Sequence, residues 1–212
     1  MSQDTDTTRI VDAVEDAESK TSAEFVVAIE PSSGSYRDVD LLFAIGLSFV
    51  ALLFAFFGPV LVAPDWLPLN LSILFAVSWV FSAHTPYLRR ICCPSIRMGQ
   101  QVREKGQQHF LNQGVGQTRG RTGILVLISQ LERRGEVVAD SGVIRAVDAD
   151  RWQALLENIQ AGYEGQDLVG TGVQAVNQLG DFLAEPLPVS EDDIDELSNM
   201  PTLHYSWLSL AN

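Results

Sequence analysis

"AEFVVAIEPSSGSYRDVDLLFAIGLSFVALLFAFFGPVLVA", residues 23–63, decides how the chain is read. Its opening "EFVVAIE" is the β-branched and aromatic pattern of a strand, and "PSSG" is the turn that ends it. Ten largely polar residues later, residues 41–63 carry no charge. As a helix rising about 1.5 Å per residue this run is about 34 Å long, enough to cross a hydrocarbon core of about 30 Å. A strand of a folded domain thus gives way to a predicted membrane span.

A second apolar run, "LPLNLSILFAVSWVFSA" at 67–83, follows after Pro64, Asp65 and Trp66 alone. Three residues suit a tight turn at a bilayer surface, so the two runs predict a transmembrane helical hairpin with both flanks on one side. Arg37 precedes the first span, and Arg89, Arg90 and Arg97 follow the second, whereas the turn has no basic residue. Because Lys and Arg are retained on the cytoplasmic side, the soluble portion is expected to face the cytoplasm of a cell-membrane protein with two spans. Trp66 and Tyr87 stand where an aromatic belt is expected. Small residues recur at four-residue spacing (Ala44 and Ser48, Ala51 and Ala55, Ser72 and Ala76, Ser78 and Ser82), a pattern that permits close helix packing.

Outside the spans, residues 8–20 place Ile10, Val11, Val14 and Ala17 on one face of an amphipathic helix. After the hairpin a helix is expected from "SIRMG" to Gly114, then a strand "TGILVLISQ", a turn "LERRG" and a strand "EVVADSG", which together make a β-hairpin over 122–142. Asp148 or Asp150 suits the cap of a helix through "RWQALLENIQAGY", and Asp167 that of the last helix. The expected fold is an α/β (α+β) sandwich, a small central sheet flanked by helices and interrupted by the transmembrane hairpin. Residues 1–40 are its first part, 41–88 the hairpin, 89–187 its second part and 188–212 an acidic tail.

A length of 212 residues allows about one domain and an appendage. The formal charge of −13 excludes nucleic acid as a partner, because a polyanion would meet repulsion with no basic stripe to offset it. The acidic, helix-patterned opening is not a signal peptide. Cys92 and Cys93 are adjacent, cannot staple distant segments, and are read as buried thiols in a reducing compartment.

No catalytic motif in the sequence is complete. "CCPSIR" puts four residues between Cys92 and Arg97, one short of the loop a cysteine phosphatase needs. "DADRW" has Trp152 where an aspartate phosphatase has Thr or Val. "GTGVQA" follows no strand, "GVGQTRG" has the wrong spacing for a dinucleotide fingerprint, and His84, His109 and His204 have no ligand-spaced companion. Carboxylates remain. Asp140 ends a strand before Ser141 and Gly142, with Asp148 and Asp150 a few residues on. Three acids near one rim suit a hard cation such as calcium or another divalent ion, although Asp148 and Asp150 as helix caps and Asp140 as a turn residue is the simpler reading.

The order of these elements, and the residues in it, resemble the TPM-domain family, named from a thylakoid-lumen phosphatase-like protein, a photosystem II accessory protein and a receptor auxiliary subunit. The matching stretches are "IVDAVEDAESKTSAEFVVAI", "GQTRGRTGILVLIS", "RRGEVVADSGV" and the late helices around "GQDLVGTGVQAV". They cover residues 8–30 and 97–185. Here the spans are inserted after the first strand, whereas many relatives reach the membrane through terminal segments. The resemblance implies divalent-metal binding and two candidate functions. One is a membrane-tethered interaction module that assists assembly, maintenance or regulation of a membrane protein complex, its partners being the lipid bilayer and another membrane protein. The other is a weak divalent-metal-dependent phosphatase.

Overall fold

The computed structural model describes residues 3–58, 64–163, 167–189, 197 and 201–203. His204 and most of the acidic tail lie outside the described residues. The chain forms two compact units, one of residues 1–33 with 99–212 and one of residues 34–98.

The first unit is mixed α/β. Its sheet has the strand order β3-β2-β1-β4, with β1 at Glu24–Glu30, β2 at Gly123–Ser129, β3 at Arg134–Ala139 and a two-residue β4 at Thr202–Leu203. β1 runs parallel to β2 along its whole length, from Glu24 opposite Gly123 to Glu30 opposite Ser129. β2 and β3 form the expected antiparallel hairpin, and β4 adds in parallel to Ala28 and Ile29. Every residue of β1 and β2 is buried. That explains why "GILVLIS" is a continuous apolar run: a strand covered on both faces has no polar side to present.

Alternation of side chains divides the core between the two faces. Phe25, Val27, Ile29, Ile124, Val126 and Ile128 pack with α1 (Gln3–Glu18), α7 (Ala149–Gly162) and α8 (Leu168–Leu183), through residues such as Ile10, Val14, Ile159 and Leu179. Val26, Ala28, Leu125 and Leu127 turn the other way and meet Val102 and Phe110 of α5 (Ser95–Asn112) and Val115.

The second unit is a helical hairpin. α2 (Arg37–Phe57) and α3 (Leu67–His84) pack along one another, and a 3-10 turn at Pro64–Trp66 precedes α3. The Ser82 hydroxyl, near the end of α3, donates to Asp40 at the start of α2 (2.9 Å), so the helices are antiparallel. α2 ends at Phe57, short of residue 63, because Gly58 is extended and a proline follows in sequence, which disfavours helical backbone at the residue before it. Both helices are long and apolar enough to cross a membrane, and only 17% and 11% of their apolar windows are buried. The buried positions between them include Ala44, Ser78 and Ser82, three of the small residues singled out above. α4 (Pro86–Cys92) follows and was not anticipated. Of the two thiols read as buried, Cys93 is, whereas Cys92 is exposed at the end of this short helix; neither forms a disulfide.

Two local readings change. β3 begins at Arg134, two residues earlier than expected, because Gly135 pairs with Ile128 in the ladder. The strand expected through "EVVADSG" ends at Ala139, and Asp140 instead caps the helix α6 (Ser141–Ala146).

Candidate functional site

The candidate rim of acids is built at the end of β3. The Asp140 backbone N–H extends the ladder to Gly123 O (3.0 Å), which carries the side chain past the sheet edge. There Asp140 caps α6, its Oδ1 accepting from the Ser141 N–H, which satisfies one of the donors a helix start leaves open. The residue is 8% exposed. Its Oδ2 is buried and has no hydrogen-bond partner among the described residues; the nearest cation is Arg121, with Nη1 3.8 Å away.

The loop before β2 closes over this carboxylate. A 3-10 turn spans Val115–Gln117, the Thr118 hydroxyl accepts from Thr122 N–H (3.0 Å), and Arg121 takes a positive φ of 57°. Gly142 N–H donates to Arg121 O (2.8 Å). A Cβ at Gly142 would stand 2.3 Å from Gly120 O and 2.5 Å from Arg121 O, so only glycine allows the loop and α6 to approach this closely.

The companions of Asp140 lie elsewhere. Asp148 is exposed and caps α7 by accepting from Arg151 N–H (3.0 Å). Asp150 is exposed in the first turn of α7, where a carboxylate favours the positive end of the helix dipole. Among the described residues no group of three or more His, Cys, Asp or Glu side chains is placed to hold a metal ion. Beside Asp148, a surface cavity of about 280 Å³ is lined by Arg151, Phe182 and Glu185, with the Arg151 guanidinium 5.5 Å from the Phe182 ring centre.

Two polar clusters escaped the sequence reading. Glu30, which ends β1 and is 7% exposed, meets His109 Nε2 at 2.7 Å and Lys105 Nζ at 3.7 Å. Gln113 reaches His109 Nδ1 at 3.3 Å and donates to the Thr202 hydroxyl at 2.9 Å. With Nδ1 accepting from Gln113, the neutral ring carries its proton on Nε2 and donates it to Glu30. In the helical unit, Asp40 is 1% exposed and receives two hydrogen bonds from Arg89, Nε to Oδ1 at 3.0 Å and Nη2 to Oδ2 at 2.6 Å. Arg97 makes a similar fork to Asp38, beside the Tyr36 ring.

No family model and no curated protein matches the chain. Among solved structures it is similar to the NMR structure of BA42 protein from the psychrophilic bacterium Bizionia argentinensis. The TM-score is 0.56 at 19% identity, over 93% of this chain and 92% of that one. At that identity the likeness is one of fold alone.

Proposed function

We propose that the chain is a membrane-tethered module of the TPM type, in which α2 and α3 span the cell membrane. Its mixed α/β unit then assists assembly, maintenance or regulation of a complex containing another membrane protein. The apolar exterior of the helical unit carries this reading. Leu42, Phe49, Val50, Phe54, Phe56 and Phe57 on α2, and Ile73, Val77, Val80 and Phe81 on α3, are each more than half exposed. Soluble monomers seldom expose a contiguous apolar patch beyond roughly 300–600 Å². The hydroxyls of Ser48 and Ser72 also suit lipid, since Ser48 donates to Ala44 O and Ser72 to Pro68 O (both 2.8 Å), so neither depends on water for a partner.

The arginines at the helix ends favour a cytoplasmic α/β unit. In a background of Cys92→Ser and Cys93→Ser, an impermeant thiol reagent applied to intact cells is expected to label Asp65→Cys and spare Asn158→Cys, both sites being exposed. Labelling of Asn158→Cys alone would invert the topology. Crosslinking in native membranes tests the function: one membrane protein is expected to be recovered reproducibly. Recovery of none, together with robust metal-dependent phosphate release by the purified protein, would transfer the proposal to the phosphatase.

That alternative is favoured by one observation, the buried Oδ2 of Asp140, which has no hydrogen-bond partner among the described residues and which a divalent cation would satisfy if Arg121, exposed at the surface, moved aside. Among the described residues no nucleophile or base is hydrogen-bonded to this oxygen, and no catalytic step is assigned.

A further inference from the structure

The short helix α4 carries its charge inward and its apolar side chains outward. α3 ends where Thr85 is extended (φ −114°, ψ 91°), as suits the residue before a proline, and Pro86 then opens α4. α4 packs against both α2 and α3. On its inner side Arg89 grips Asp40, the carboxylate that Ser82 also reaches from α3. In one unbroken helix Arg89 would stand about 10 Å beyond Ser82 along the axis. The shared carboxylate and the packing on α2 therefore place α4 across the end of the helical hairpin. Its outer side is apolar: Tyr87 and Ile91, one turn apart, are 66% and 62% exposed, and Ile96 at the start of α5 is 76% exposed. A helix on a water-facing surface has the opposite arrangement, with its charges outward.

We propose that the outer face of α4, together with Ile96, is a lipid-binding surface that lies in the plane of the bilayer, between the headgroups and the acyl chains. The proposal rests on the reading of α2 and α3 as membrane spans and adds a third element to their contact with lipid. The level is right for it. The 18 residues of α3 rise about 27 Å, close to the thickness of a hydrocarbon core of about 30 Å, so the His84 end lies at its boundary. α4 starts two residues later, at the depth of the headgroups. There an interfacial helix buries an apolar face by about 5–10 Å, and the tyrosine ring, apolar in body and polar at its tip, suits that boundary.

Continuity and charge favour lipid as the occupant. Val80 and Phe81 are exposed near the end of α3, so apolar side chains open to the outside continue from α3 into Tyr87 and Ile91. At the same end stand Arg37, Arg89, Arg90 and Arg97 against Asp38 and Asp40, a positive surplus in a chain of net charge −13. Arg89 and Arg97 fork to the two aspartates and hold the segment in place. The surplus complements the anionic phospholipid headgroups of a bilayer surface.

The test uses the full chain with Cys92→Ser and Cys93→Ser, reconstituted in vesicles of equal parts phosphatidylcholine and phosphatidylglycerol. Tyr87→Cys, Ile91→Cys and Ile96→Cys, each made singly at an exposed position, carry a nitroxide. Val77→Cys on α3 is the reference within the span, and Asn158→Cys on α7 is the reference in water. Collisions with oxygen, which concentrates in lipid, and with a water-soluble nickel chelate report the depth of each label. The three test labels are expected to favour oxygen over nickel severalfold more than the label on α7 does, and less than the label on α3. Test labels as aqueous as that on α7, with the α3 label in lipid, overturn the surface and leave the spans standing. An aqueous α3 label overturns the spans and the surface with them. Test labels screened from both colliding species mean that protein covers this face, which overturns lipid as its occupant.

Discussion

Arg89 donates twice to the carboxylate of Asp40, forty-nine residues earlier in the chain, and the Ser82 hydroxyl supplies a third bond to the same group. Asp40 is almost wholly removed from solvent while Arg89 keeps 24% of its side chain exposed, so removal of one partner strands a charge that has little water to recover. Asp40→Asn and Arg89→Gln are each expected to cost roughly 2–4 kcal/mol in unfolding of the full chain in micelles. The double variant should cost clearly less than the sum. Additive losses would mean that the pair contributes no coupling.

The α/β unit breaks off at residue 33 and resumes at residue 99, on either side of the helical unit. Replacement of residues 34–94 by a short Gly/Ser linker, which leaves α5 whole, should yield a soluble protein with a single cooperative thermal transition. A non-cooperative transition with dye-binding apolar surface would show that the unit depends on its insert.

Tyr163 is fully buried over Gly135, where a Cβ would fall 2.1 Å from the ring. Gly135→Ala is therefore expected to cost about 3 kcal/mol or more by overpacking against an immovable ring. The Tyr163 hydroxyl is buried without a partner among the described residues, and burial pushes its ionisation well above the usual tyrosine range. A phenol that ionises more readily unfolded than folded loses stability for the fold as pH climbs through its unfolded value near 10. Tyr163→Phe should be neutral to slightly stabilising at pH 7 and should flatten that alkaline loss; an unchanged alkaline slope would assign it to other groups.

Burial raises the Glu136 carboxyl above its ordinary range, and Arg103 at 4.0 Å only partly opposes this. A carboxyl that is harder to ionise in the folded state weakens the fold at neutral pH, and the penalty is relieved as pH falls through its raised folded value. Glu136→Gln is expected to be slightly stabilising at pH 7, with the gain vanishing as pH falls below the ordinary carboxyl range. A gain that persists at pH 4 would point to packing instead.

Asp140 and Asp148 separate the two uses of an acid at a helix start. Asp148→Ala should cost about 1 kcal/mol, with or without calcium, as loss of an ordinary cap does. If a cation sits at the β3 rim, calcium raises the melting temperature of the parent, and Asp140→Asn abolishes that rise. Asp192 and Asp193, which lie outside the described residues, serve as the control for a nonspecific response to net charge.

What the sequence made legible was what depends on neighbours in the chain. β1, β2, the hairpin that follows and the caps at Asp148 and Asp167 are local patterns, and each appears within a residue or two of its expected place. The illegible parts depend on contacts across the chain. His109 meets Glu30 from seventy-nine residues away, and β4 is a two-residue strand that exists only because an edge is there to receive it. α6 is not legible in the sequence because its six residues give too little periodicity to declare a helix. Among the arginines that set the expected topology, Arg89 and Arg97 prove to be paired with Asp40 and Asp38, a partnership invisible to a count of basic residues.

The register of β1 against β2 also fixes an order of events during synthesis. Glu24 waits for Gly123, and Glu30 for Ser129, roughly a hundred residues later. At translation rates of about 5–20 residues per second, that is about 5–20 seconds in which a finished apolar strand has no sheet to join. Meanwhile the two long apolar helices emerge from the ribosome. The nascent chain must therefore commit its hairpin before its sheet, and a slowing of translation within α2 or α3 prolongs the interval in which "EFVVAIE" is open to aggregation or to a chaperone.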